Sequence, residues 1–130
     1  MTIPADAASV TVVRQAVTGL GDLDGWDPVF LADVRVAISE ACENAVAHGY
    51  PDHRPGTVAI RVELTGDGMA VNVRDDGVGF PAVDAPGRPG TGLGMALMGT
   101  LADELSITSP PGGPTELSMT FHIVRSARAS

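Results

Sequence analysis

Glu40, Asn44 and His48 recur at intervals of four residues within SEACENAVAHG, residues 39–49. On a helix that spacing stacks side chains in one row, with neighbours roughly 5–6 Å apart at Cβ. A carboxylate, an amide and an imidazole would then line the rim of any cleft between this helix and the core. By itself the row also fits an exposed stripe, with His48 favoured near a helix C-terminus by the dipole. Only a facing element can decide between the two. Glu43 falls on the solvent side and reads as an ordinary surface charge.

Asp75 supplies a facing element. It shares parity with Met69, Val71 and Val73, so it points toward the same layer as those apolar residues. A carboxylate there is costly unless hydrogen-bonded. An acceptor-only group at a pocket floor is suited to an exocyclic amino group. The stretch continues as DDGVGF, residues 75–80, where Gly77 and Gly79 allow turns and close approach of a ligand. A second glycine cluster, GRPGTGLGMAL at residues 87–97, places Gly90, Gly92 and Gly94 ahead of a helix. Free N–H groups at a helix start favour anions such as phosphate. A loop precedes the cluster and its spacing is GxGxG, so it is no Rossmann fingerprint.

The elements that must hold these groups follow from periodicity. Val10, Val13, Val17 and Leu20 predict a helix over about 8–20, after a loose start. GDLDGWDP reads as a polar loop: Asp22, Asp24 and Asp27 lack calcium-loop spacing and its closing Glu. A longer helix is predicted over 28–49, capped by Asp27, opened by Pro28 and ended by Gly49, Tyr50 and Pro51. Its apolar stripe comprises Phe30, Val34, Ala37, Ile38, Ala41, Ala45 and Val46, with Cys42 at the edge. TVAIRVELT (57–65) alternates with Val58, Ile60, Val62 and Leu64 on one face, and pairs with 69–75 as a hairpin across Gly66–Gly68. Leu93, Ala96, Leu97 and Leu101 mark a helix over 93–102. Strands are predicted over about 104–109 and 115–124, the second turning Leu117, Met119, Phe121 and Ile123 to one side. The order fits an α+β two-layer sandwich, a mainly antiparallel sheet with helices on one face.

Composition narrows the function. The 130 residues carry a net charge of −8, and all eight basic residues are Arg. Nucleic-acid binding is disfavoured without a basic surface. A P-loop is excluded without its Lys. One cysteine permits neither a disulfide nor a cysteine zinc site within the chain. No apolar run approaches the ~18 residues of a membrane span, and MTIPADAAS lacks a signal core. The expectation is a cytoplasmic protein whose partners are proteins.

The three boxes taken together resemble a family. SEACENAVAHG is similar to the N box of the GHKL ATP-binding superfamily of gyrase, heat-shock chaperone, histidine kinase and mismatch-repair types. DDGVGF resembles its DxGxG box, GTGLGM its GxGxG box, and GGPTELSMTF its final strand region, so the match runs from about residue 8 to 124. The SEAxxNAxxHG form in so compact a chain resembles the RsbW/SpoIIAB-type serine kinases that act as anti-sigma factors. The resemblance implies the Bergerat fold in a single domain, with ATP and Mg²⁺ as cofactors. It implies Glu40 as general base, Asn44 as ligand of the Mg²⁺ that bridges the phosphates, and Asp75 as partner of the adenine amino group. Gly77 and Gly79 would close around the base. Gly90, Gly92 and Gly94, with Thr91 and Leu93 between them, would border the phosphates. Residues 80–91 would form a mobile lid, with Arg88 reaching a phosphate. His48 fits the motif either at the nucleotide or as a brace for the helix end. The implied partners are a sigma factor and a STAS-type anti-anti-sigma protein that accepts the phosphoryl group on serine. A homodimer would use a strand before the first helix, for which TIPADA is short. The absence of a helical segment with a phosphoacceptor His argues against a complete sensor histidine kinase. Two alternatives stand beside this reading: a module that holds ATP without turnover, and the ATPase domain of a larger regulator.

Overall fold

The computed structural model describes residues 1–49, 56–76, 91–108 and 114–126. Its elements are β1 (Thr2–Pro4), α1 (Ala7–Asp24), α2 (Pro28–Gly49), β2 (Thr57–Thr65), β3 (Gly68–Asp75), α3 (Thr91–Leu101), β4 (Glu104–Thr108) and β5 (Glu116–His122). The strands form one sheet in the order β1-β2-β3-β5-β4, and every pairing among them is antiparallel. The expected two-layer α+β architecture is therefore present.

Local chemistry sets the boundaries. Asp6 caps α1, its carboxylate accepting from the Ser9 N–H at 2.8 Å, and Gly25 closes that helix at φ +70°. Asp27 caps α2 by accepting from the N–H groups of Val29 and Phe30 at 3.0 and 3.3 Å, directly before Pro28. The alternating faces of β2, β3 and β5 then meet the stripes of the helices. Val58, Ile60, Val71, Val73, Leu117 and Met119 pack with Val10, Val13, Val34, Ile38 and Ala41 in one continuous core. α2 lies between α1 and α3 and rests on β3, so the polar row is carried by the central helix.

Four expectations are corrected. The start of the chain is not loose: β1 pairs with β2, Ile3 opposite Val58, and Ile3 is buried. α1 runs on to Asp24, which shrinks the inter-helix loop to three residues. In α3, Met98 is fully buried whereas Ala96 is exposed, so the inward face lies to one side of the predicted stripe. Leu64, near the end of β2, is 39% exposed although its cross-strand partner Met69 is buried.

The short α1–α2 loop is tightly built. Trp26 is buried, donates from Nε1 to Asp24 Oδ2 at 2.8 Å, and meets the Phe30 ring edge-on at 5.2 Å. Arg125 joins Asp24 to the β2–β3 turn by donating to Asp24, Asp67 and the Gly66 carbonyl. Gly21 leaves the space that Trp26 fills: a Cβ there would lie 2.7 Å from Leu31 Cδ1 and 2.8 Å from Trp26 Cε3. Gly21→Ala is therefore expected to lose about 1–3 kcal/mol through overpacking, despite the better helix propensity of Ala. Urea unfolding monitored by Trp26 fluorescence measures it, and an unchanged or raised midpoint would contradict the packing argument.

Candidate functional site

The middle of α2 meets the start of α3, and α2 also rests on β3, whose last residue is Asp75. Helix periodicity puts Val34, Ala37, Ile38, Ala41, Cys42 and Ala45 against the sheet, all of them buried. Glu40 and Asn44 follow one another one turn apart and are both half-buried, the exposure expected at the border of that stripe. The carboxylate of Glu40 reaches α3: a Cβ built on Gly94 would lie 2.9 Å from its Oε2. Thus one glycine of the GTGLG run lies against an acid of the SEAxxN run. Glycine is the residue type that leaves that carboxylate undisturbed.

The two acids of the stretch are not equivalent. Glu43 is engaged by Arg14 of α1, whose Nη2 donates to it at 3.1 Å, and its side chain is half exposed. Arg14 also donates from Nε to the hydroxyl of Ser39 at 2.8 Å, and that hydroxyl donates to the Arg35 carbonyl at 2.6 Å. Glu40 takes part in none of these bonds. Sequence reasoning missed the Arg14 tether. The one available signal was that Arg14 is the sole basic residue in the first 34.

Asp75 ends β3 on the helix-facing side, opposite Val58 of β2, and is 1% exposed. Its backbone N–H donates to the Thr115 carbonyl at 3.1 Å, and Thr115 is itself buried. A hydroxyl residue therefore stands beside the carboxylate where β3 and β5 meet, a neighbour that the reading of the boxes did not single out. Val71 and Val73 continue inward from Asp75 as the apolar floor.

Cys42 lies one turn before Val46 on the buried face and is fully covered. Desolvation pushes its thiol up to about 12, with Glu43 adding to the rise and Arg14 opposing it. At neutral pH it is a protonated, apolar packing group, as a lone helix cysteine was expected to be.

The remaining candidates divide in two. Thr91, Gly92 and Leu93 form the first turn of α3, and His48 lies in the last turn of α2. Gly77, Gly79, Arg88 and Gly90, with most of the expected lid, lie outside the described residues. Among the described residues no three His, Cys, Asp or Glu side chains converge as a metal cluster. A divalent cation at Asn44 would therefore draw its other ligands from phosphates and water, which is the habit of Mg²⁺. No helix among the described residues is long and apolar enough to cross a membrane.

Comparison with known proteins bears on this arrangement. The family described as the histidine kinase-like ATPase domain matches residues 3–121. The serine-protein kinase RsbW of Bacillus velezensis is 34% identical over 125 residues, covering 86% of this chain and 78% of that protein. The anti-sigma F factor of Bacillus licheniformis is 31% identical over 105 residues, covering 74% of this chain and 72% of that protein. The crystal structure of the RsbU and RsbW domains of Rv1364c from Mycobacterium tuberculosis superposes with a TM-score of 0.70 at 27% identity. That match covers 100% of this chain and 34% of the larger one.

Proposed function

The chain belongs to the histidine kinase-like ATPase domain family, and on that premise we propose that it is an ATP-dependent serine protein kinase acting as an anti-sigma factor. It would bind a sigma factor and phosphorylate a STAS-type anti-anti-sigma protein, so that phosphorylation state decides which partner it holds. The relatives named serine-protein kinase RsbW and anti-sigma F factor support this reading. The observation that carries it is the placement of the Glu40 carboxylate against Gly94 at the start of α3, on the helix that also rests on the strand ending in the buried Asp75.

Each side chain has a separate task. Asp75 accepts from the adenine amino group at the pocket floor. The first turn of α3, Thr91 to Gly94, offers N–H groups to the phosphates. Asn44 presents an amide oxygen to Mg²⁺, which supplies neutralisation of the phosphate charge when bound. Glu40 takes the proton from the acceptor serine as its oxygen forms the bond to the γ-phosphorus. The bond to the β-bridging oxygen breaks, and ADP leaves. Transfer of label from γ-labelled ATP to a STAS-domain protein tests the reading. Label that appears on wild-type partner and vanishes when its acceptor serine becomes Ala supports it, whereas no transfer to any STAS protein overturns it.

Gly94→Ala separates Glu40's placement from nucleotide binding. The added methyl displaces the carboxylate, whose flexible end can give way without unfolding the chain. Ala favours the helix by up to about 1 kcal/mol. The expected outcome is an unchanged or higher melting temperature with transfer slowed about tenfold or more, because a base displaced by ~1 Å is costly. Equal losses in ATP affinity and transfer rate would place Gly94 at the phosphates alone.

A further inference from the structure

A groove over the outer crest of α2, beside α1, includes Glu40 in its lining. Arg14, Ala32, Arg35, Val36, Ser39 and Glu40 line it. We propose that this groove seats the acceptor protein, with an acidic side chain of the partner on Arg35 and an apolar one on Val36. The proposal rests on the kinase reading and adds to it the surface along which the serine arrives.

Three observations converge. The first is continuity: Glu40 lines the groove and also touches the start of α3, so one carboxylate belongs both to the groove and to the proposed transfer site. The second is charge. The chain carries 16 acids against eight Arg, and two of those Arg stand at this groove. Arg14 is committed to Ser39 and Glu43. Arg35 is exposed and forms no ion pair among the described residues, leaving it to meet a partner's carboxylate. The third is apolar surface. Val29 and Val36 are 68% and 41% exposed, and with the exposed Ala32 they recur at i, i+3 and i+7 on one side of α2. A contiguous apolar strip beside an open cation suits a protein surface of mixed character. A second copy of this chain would bring another net −8, and one open Arg on so acidic a chain is no footprint for nucleic acid.

Arg35→Glu and Val36→Asp test the proposal, with each purified STAS-domain protein of the source organism as the probe. Both side chains are exposed, and the Ser39 hydroxyl meets Arg35 only at its backbone carbonyl, so both variants should keep the fold. The direct readout is calorimetric affinity for the probe in the presence of ATP and Mg²⁺, which needs no turnover. The second is the split between KM for the probe and kcat. Arg35→Glu is expected to weaken binding and raise KM about tenfold or more, because like charges are then juxtaposed. ATP affinity and kcat at saturating probe should stay within about twofold. Reversal of one acidic residue on the probe should restore binding to Arg35→Glu and not to Val36→Asp. Wild-type transfer with unchanged KM in both variants overturns the groove while leaving the kinase reading intact. A parallel loss of ATP affinity also overturns it, by placing Arg35 at the nucleotide. A shift in sedimentation of the variants alone would assign the crest to a second copy and overturn it too. No probe bound by wild type overturns the partner class itself.

Discussion

Glu40→Gln is expected to slow phosphoryl transfer to the partner serine by about 10²–10⁴-fold, the usual contribution of a positioned general base. ATP affinity should change by no more than a few-fold. The substitution keeps volume and hydrogen-bonding shape and removes only the capacity to take a proton. Glu43 is a poor substitute, because it is held in an ion pair with Arg14 and its side chain is half exposed. Single-turnover transfer measured after nucleotide loading isolates the chemical step from binding. A variant that transfers within tenfold of wild type would show that the serine loses its proton elsewhere, consistent with a loose transition state that asks little of a base.

The second large effect falls on Asp75. Asp75→Asn is expected to weaken ATP binding about 10- to 100-fold, the range for losing a hydrogen bond to a charged group in a buried setting. It should also narrow discrimination against GTP. A carboxylate only accepts, so it favours an amino group and repels a carbonyl at the same ring position, whereas an amide can do either. The ratio of the two affinities is therefore the sharper measurement. Asp75 is buried and its backbone joins β3 to β5, so circular dichroism should accompany the titration. Undiminished ATP affinity in a folded variant would remove Asp75 from the adenine site.

How much of this could be read beforehand depended on the range of each interaction. The caps of α2 were legible because Asp27 and Pro28 act within one turn. The hairpin was legible because its period and its glycine turn are both local. The inward placement of Asp75 followed from parity alone. β1 was not legible: three residues are too few to show a period, and its partner lies more than fifty residues away. Met98 was hidden in a segment so uniformly apolar that no stripe stands out. The site divided likewise. The Glu40–Asn44 row came from helical spacing, whereas the contact of Glu40 with Gly94 and the tether of Glu43 to Arg14 are tertiary and appear only once α1, α2 and α3 lie side by side.

The burial of Cys42 has an experimental consequence. It is the only thiol in the chain, fully covered on the sheet-facing side of the helix that carries Glu40 and Asn44. A thiol-specific reagent can reach it only when the packing around α2 opens, and burial keeps the thiol protonated at neutral pH until then. Its labelling rate is therefore a clock for the opening of this one helix. Any ligand that seats on α2 should slow that clock, so occupancy could be followed without a radiolabel, a partner or a turnover assay.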